Sequence, residues 1–478
     1  MDNATAERNP DSLGNSSRTP NRWLILANVS VGTFMSTLDG SIANVALPTI
    51  SEQLNTPIHV VQWVLTSYLL TICATLPIMG KLADLWGRSR IYNYGFLLFA
   101  LGSALCGLSH TFPMLVASRV VQAIGASCLM SNSQAIVAEV FSQGGRGRAM
   151  GITGTMVSLG SLTGPGIGGI LVGWLGWPSI FWINVPIGII GFIAGLYLLP
   201  RPSGLPKRER FDYAGSVLFI AGMFSLLYTL SNAQDWGWAS PATWGAFAAS
   251  IAVLAVFYVW EQRVSNPMLD LGLYRIRAFA IGNAAALLSF MALFFSNVMM
   301  PFYMENVLGY STEQTGYTMM IYPLTMAVVA PLSGWLSDRI GPNLLTTAGL
   351  AVNALGFGLL NALSAHEPSW VVGLHLSLFG LGGGLFQSPN NSSVMGAVPR
   401  PKLGTAGGLN ALVRNVGMVL GISLSVSIYS SRLRHLGVDA GASAGGPAAL
   451  SALHLVFWTA MGVCLLGLAI SARRIRHA

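Results

Sequence analysis

The chain has 478 residues, 53% hydrophobic and only 9% charged, with a formal net charge of +8. A soluble domain carries about 25% charged residues, so the composition excludes a water-soluble globule and indicates an all-α polytopic membrane protein. The basic residues lie between apolar segments rather than on one patch, which excludes nucleic-acid binding as the reason for the charge.

Residues 1–21 are polar, rich in Asn, Ser and Pro, and read as a disordered cytoplasmic tail. About fourteen apolar segments follow, each near the roughly 20 residues needed to cross a bilayer. Their expected limits are 22–46, 58–80, 91–109, 112–139, 149–173, 177–199, 211–231, 242–261, 278–304, 314–336, 343–364, 369–397, 403–430 and 449–472. Cys73, Cys106, Cys128 and Cys464 all fall inside such segments, with no disulfide or metal-ligand spacing. An even number of spans puts both termini on one side. Nearly all Lys and Arg between spans share that side, Lys81, Arg88, Arg146, Arg201, Arg263, Arg339 and Arg400 among them, while Arg432 and Arg434 lie opposite. The positive-inside rule then places both termini in the cytoplasm, in an inner or plasma membrane.

The fifth segment holds an uncharged glycine-rich run, Gly151 to Gly169. Gly160, Gly164 and Gly168 recur every four residues, so a neighbouring helix can approach closely. Pro165 removes one helix hydrogen bond and bends the segment, and Gly169 ends the run.

Two short loops echo each other. Gly80-Lys-Leu-Ala-Asp84-Leu-Trp-Gly87-Arg88 follows the second segment, and Gly334-Trp-Leu-Ser-Asp338-Arg339-Ile-Gly341 follows the tenth. Both have the form G-x-L-x-D-x-x-G at equivalent places, which predicts two six-helix halves, 22–200 and 278–478, with residues 201–277 as a linker carrying two inserted helices. Parallel repeats of this kind place a transporter's substrate site near the midplane between the halves.

Several of these motifs resemble those of the major facilitator superfamily, and within it the fourteen-span drug/proton antiporters. Leu38-Asp-Gly-Ser-Ile-Ala-Asn-Val-Ala-Leu-Pro48 is similar to the first-span signature, with Ser41 in place of Thr. Arg119-Val-Val-Gln-Ala-Ile-Gly125 is similar to R-x-x-Q-G-x-G, with Ala123 in place of Gly. The 80–88 loop, the glycine run, Phe181–Gly188 and Asp212–Gly215 match in the expected order. The resemblance implies two major-facilitator bundles plus linker helices, efflux of lipophilic drugs, antiseptics or antibiotics in exchange for protons, and alternating access. It also implies that the loop carrying Gly80, Asp84, Gly87 and Arg88 latches the halves, with Asp338 and Arg339 in the second copy. Asp84 is placed to cap the thirteenth span through its helix dipole. Glu139 is a candidate partner for Arg88, or simply part of a surface turn.

Asp39 is the one acid well inside the first six spans, and Arg119 lies at similar depth. A buried carboxylate is costly when charged, so Asp39 is a candidate proton-coupling group; a static ion pair with Arg119 is the other reading. A substrate pocket should be apolar with a few polar anchors. Candidates are Met35, Asn44, Trp63, Tyr68, Gln122, Phe294, Asn297, Tyr303, Tyr322, Gln387, Asn390 and Arg414. No phosphate-binding G-x-x-x-x-G-K-[ST] occurs, and Asp39 has no second deep aspartate. An enzyme, an ATP-driven pump and an intramembrane protease are therefore not expected, nor is any cofactor or metal. The expected partners are a lipophilic small molecule, protons and the lipid bilayer, with the chain monomeric and accessory export proteins compatible. An exporter of one endogenous metabolite or lipid, or a proton symporter for uptake, is the alternative.

Overall fold

The structure, a computed structural model, describes residues 21–56, 58–200, 211–238, 240–437 and 447–474. The expected polar tail up to residue 20 and residues 201–210 of the linker lie outside these residues. The described residues form helices joined by short loops. The long ones are α1 (Arg22–Gln53), α2 (Trp63–Trp86), α3 (Arg88–Gly107), α4 (Phe112–Val140), α5 (Arg146–Leu175), α6 (Asn184–Leu198), α7 (Tyr213–Trp236) and α8 (Pro241–Arg263). They continue with α9 (Arg277–Phe302), α10 (Ile321–Ile340), α11 (Pro342–Leu360), α12 (Ser369–Gly396), α13 (Leu403–His435) and α14 (Pro447–Ala472).

Their boundaries follow from local chemistry. Thr111 accepts the Met114 N–H at the start of α4, and Asp212 accepts the Gly215 N–H at the start of α7. Side-chain oxygens at this position satisfy amides that have no partner within the helix. Gly87 (φ 100°) and Gly341 (φ 84°) end α2 and α10 in a backbone conformation that other residues resist.

The span count differs from the sequence expectation. Eleven described helices are long and apolar enough to cross a membrane, or twelve if α5, bent by 41° between Gly164 and Gly166, is one span. The expected fourteen is not reached because α1 and α3, although 32 and 20 residues long, carry many polar residues. Ser30, Ser36, Asp39, Arg88 and Asn93 are examples, and all but Arg88 are buried against neighbouring helices. Large apolar side chains such as Ile190, Tyr197, Val328 and Leu466 cover the outside. An apolar surface of this extent needs lipid rather than water.

Helices α1 to α6 pack on one another, as do α9 to α14. The two groups meet where α5 lies on α10 and where α13 lies on α2 and α4. These contacts concentrate on the face that holds Arg22 and Arg474, referred to below as the terminal face. The inserted pair α7–α8 lies against α2 and α13: Tyr228 packs 5.5 Å from Trp63, and Trp238 Nε1 donates to Ser427 Oγ at 2.8 Å.

Candidate functional site

Four helices converge on Asp39. Its Oδ2 accepts from Arg119 Nη1 of α4 at 2.6 Å, and its Oδ1 accepts from Gln122 Nε2 of α4 at 2.8 Å and Asn184 Nδ2 of α6 at 2.9 Å. Gln122 Nε2 also reaches Ser103 Oγ of α3 at 2.8 Å. Arg119 further donates to the Val64 carbonyl of α2 at 3.0 Å and to Gln122 Oε1 at 2.5 Å, and its guanidinium lies 4.1 Å from the Tyr68 ring centre. Asp39 and Arg119 are both fully buried. A buried pair of this kind holds only when the remaining donors and acceptors are met. Most are, but Arg119 Nη2, the Tyr68 hydroxyl and Asn184 Oδ1 have no partner among the described residues. The cluster therefore has hydrogen-bonding capacity in reserve when the ion pair opens. Asp39, Arg119, Gln122 and Tyr68 were legible as candidates. Ser103 was not, because one more serine in an apolar helix carries no signal. Asn184 stood in a motif with no role attached.

The two echoing loops perform the same act on opposite helices. Asp84 accepts the backbone N–H groups of Gly404 (2.8 Å) and Thr405 (2.7 Å) at the start of α13. Asp338 accepts those of Gly147 (2.8 Å) and Arg148 (3.1 Å) at the start of α5. A carboxylate here meets both free amides and the positive end of the helix dipole. Beside each aspartate two glycines cross: a Cβ on Gly80 would strike the Gly404 carbonyl, and one on Gly334 would strike that of Gly147. Arg88 bridges Asp84 (2.9 Å), Glu139 (2.6 Å) and the Arg400 carbonyl. Arg339 does not join Asp338; its guanidinium lies 3.9 Å from the Trp335 ring centre.

The glycine run serves two seams rather than one. Its first turns face α10, where a Cβ on Gly151 would stand 2.6 Å from the Ala330 carbonyl. Gly160 and Gly164 face α1, where Ser41 Oγ donates to the Gly160 carbonyl at 3.0 Å and fills the space beside Gly164. Ser41 therefore stands at the contact itself. Gly168 is buried and Gly169 faces open space; the Pro165 side chain lies outside the described residues.

The remaining candidates scatter. Met35 is buried, Trp63 and Phe294 are half-buried, and Asn44 and Asn297 are exposed. Tyr322 donates to Met326 Sδ at 3.3 Å. Gln387 is buried, and its Oε1 has no partner among the described residues. Two are held by other bonds: Tyr303 donates to the Ser364 carbonyl at 2.8 Å, and Asn390 donates to the Gly282 carbonyl at 3.1 Å while accepting from Arg474. Their bonds tie neighbouring elements together and leave little for a ligand. Arg474, past the end of α14, is pushed down to about 10 by burial. Sequence reasoning also missed a polar bond between the groups, Asn410 Nδ2 to Gln134 Oε1 at 2.6 Å.

Residues 29–422 match the Major Facilitator Superfamily. The chain is 35% identical over 450 residues to the riboflavin transporter RibZ of Clostridioides difficile, covering 94% of this chain and 96% of that protein. It is 35% identical over 417 residues to the multidrug resistance protein Stp of Mycobacterium tuberculosis, covering 86% and 76%. Among solved structures it resembles the human organic anion transporter MFSD10, with a TM-score of 0.68 at 18% identity over 95% of this chain and 100% of that one. The proton:xylose symporter XylE gives 0.64 at 14% identity over 94% of each. The chain belongs to the major facilitator superfamily. It is an integral membrane transporter.

Proposed function

We propose that the protein exports small lipophilic compounds across the cytoplasmic membrane in exchange for protons, with both termini in the cytoplasm. The observation that carries the proposal is the fully buried Asp39–Arg119 pair, the one fully buried ion pair among the described residues, held in a cluster of neutral polar side chains. An intramembrane ionisable group is a functional hypothesis by default. The reading also divides the chain into halves 22–200 and 278–478 around the 201–277 linker, and takes α1 and α3 as crossing too. Riboflavin transport in one relative and multidrug resistance in another support a small organic substrate. No cofactor is required, and one chain suffices.

In the arrangement seen here the two groups of helices are joined at the terminal face by Asp84 and Asp338. This is the state expected to open away from the cytoplasm. A proton arriving from that side neutralises Asp39 and cancels its attraction for Arg119. Arg119 keeps the Val64 carbonyl and Gln122, and its free Nη2 gives it somewhere to turn. The loss of a salt bridge between α1 and α4 changes their packing and favours opening at the terminal face. Proton release there, competing with substrate binding, resets the carrier. Differential stabilisation of two states by the proton is all that such coupling requires.

The test is reconstitution in liposomes with an imposed pH gradient. Asp39→Asn is expected to abolish gradient-driven accumulation while leaving downhill exchange measurable. Accumulation by the variant at the wild-type rate would sink the assignment.

A further inference from the structure

Arg414 is the second deep arginine, and its surroundings are unlike those of Arg119. It stands eleven residues into α13, about 17 Å from the terminal face at the helical rise. Among the described residues it forms no ion pair and no hydrogen bond; its one recorded contact is the Phe290 ring of α9, 6.0 Å from its guanidinium. It is only partly buried. A cation at this depth with no partner is costly.

The helix geometry fixes where it faces. Gly417 and Gly421 press α13 against α9 beside Phe290 and Phe294, and Gly404, Gly407 and Gly408 press it against α2 and α4. At about 100° per residue, Arg414 falls between those two faces. It therefore looks into the space bounded by α9 on one side and α2 and α4 on the other. One turn below, Asn410 bonds Gln134 (2.6 Å) and Asn391 (3.2 Å), so the floor of that space is polar but neutral. The deep carboxylate, Asp39, is already neutralised by Arg119. The other described carboxylates sit at helix ends or in loops, as Glu52, Glu139 and Glu305 do. Among the described residues no carboxylate at its level thus offsets the charge of Arg414.

Resting on the transporter reading above, we propose that Arg414 is an anion-recognition residue and that the preferred substrates are aromatic amphipaths bearing one carboxylate or sulfonate. The planar guanidinium meets such a group with two parallel N–H···O bonds. Phe290 and the half-buried Phe294, one turn apart on α9, supply the apolar surface for the rings. The bound anion provides the counter-charge that the protein itself leaves out.

Three probes of nearly equal size separate charge from shape: 2-naphthoate, the neutral 2-naphthamide and the cation N-methylquinolinium. Binding to the full chain in neutral phosphatidylcholine vesicles is measured by equilibrium dialysis, without any gradient. The wild type is expected to hold naphthoate at least about tenfold more tightly than naphthamide, and quinolinium most weakly. Arg414→Gln should erase the preference for naphthoate over naphthamide, and Arg414→Lys should keep part of it. Equal binding of the three probes by the wild type, or an undiminished naphthoate preference in Arg414→Gln, overturns the proposal. Should Arg414→Gln fail to reach the membrane, the wild-type ranking and Arg414→Lys still decide. Naphthoate binding without gradient-driven movement supports the anion site while sinking the export reading, so the two failures are distinct.

Discussion

The loops Gly80–Arg88 and Gly334–Gly341 make the same backbone capture with unequal reinforcement. In each, an aspartate takes two amides from the start of a helix in the other group, and two glycines let the backbones cross. Asp84 gains two partners that Asp338 lacks: the Thr405 hydroxyl at 2.8 Å and the Arg88 guanidinium, which in turn holds Glu139. The repeat therefore supplies a symmetrical closure, and charges outside the repeated motif bias it toward one side. Glu139 belongs to α4 and has no counterpart at the second loop among the ion pairs of the described residues.

The largest effect should come from removing the feature the loops share. Gly334→Leu and Gly80→Leu each put side-chain volume where a carbonyl stands. Either is expected to abolish transport and to widen the distance between spin labels at the ends of α4 and α13. Normal activity in either would show that the crossing is not needed.

Next comes the comparison itself. Hydrogen bonds to a charged group contribute roughly 1.5–3 kcal/mol each. Asp84→Asn should therefore lose transport, with protein level in the membrane near normal, through a shift of at least about thirtyfold away from the closed terminal face. Asp338→Asn should shift the same equilibrium less, because fewer partners depend on it. Equal label distances and equal transport in the two variants would erase the asymmetry.

The smallest effect belongs to Glu139→Gln. Its side chain is 48% exposed, and exposed ion pairs contribute about 0.2–1 kcal/mol. Transport should fall less than about fivefold, and more at low salt than at high salt. A loss as deep as that of Asp84→Asn would mean that Arg88 cannot be positioned without it.

Much of this was readable before any coordinates. The echoing loops followed from four matched positions at the same spacing, and Asp39 with Arg119 followed from the scarcity of charge in apolar spans. The span count was less readable, because α1 and α3 bury polar residues on neighbours and so lose the uniform apolarity that marks a crossing helix. Tyr303 and Asn390 read as pocket residues for the same reason: a polar side chain in an apolar span needs a partner, and sequence does not say whether that partner is a ligand or a carbonyl.

The sequence by itself determined the class of protein, the repeat and the inventory of deep charges, because each depends on composition and spacing along one chain. Only the tertiary structure decided the pairings. Asp84 reaches an amide 320 positions away, Asp39 draws on Asn184 as well as Arg119, and Arg414 has no ion pair among the described residues and lies near the Phe290 ring. These outcomes depend on which helix faces meet, and that is set by packing across the whole bundle rather than by any local pattern.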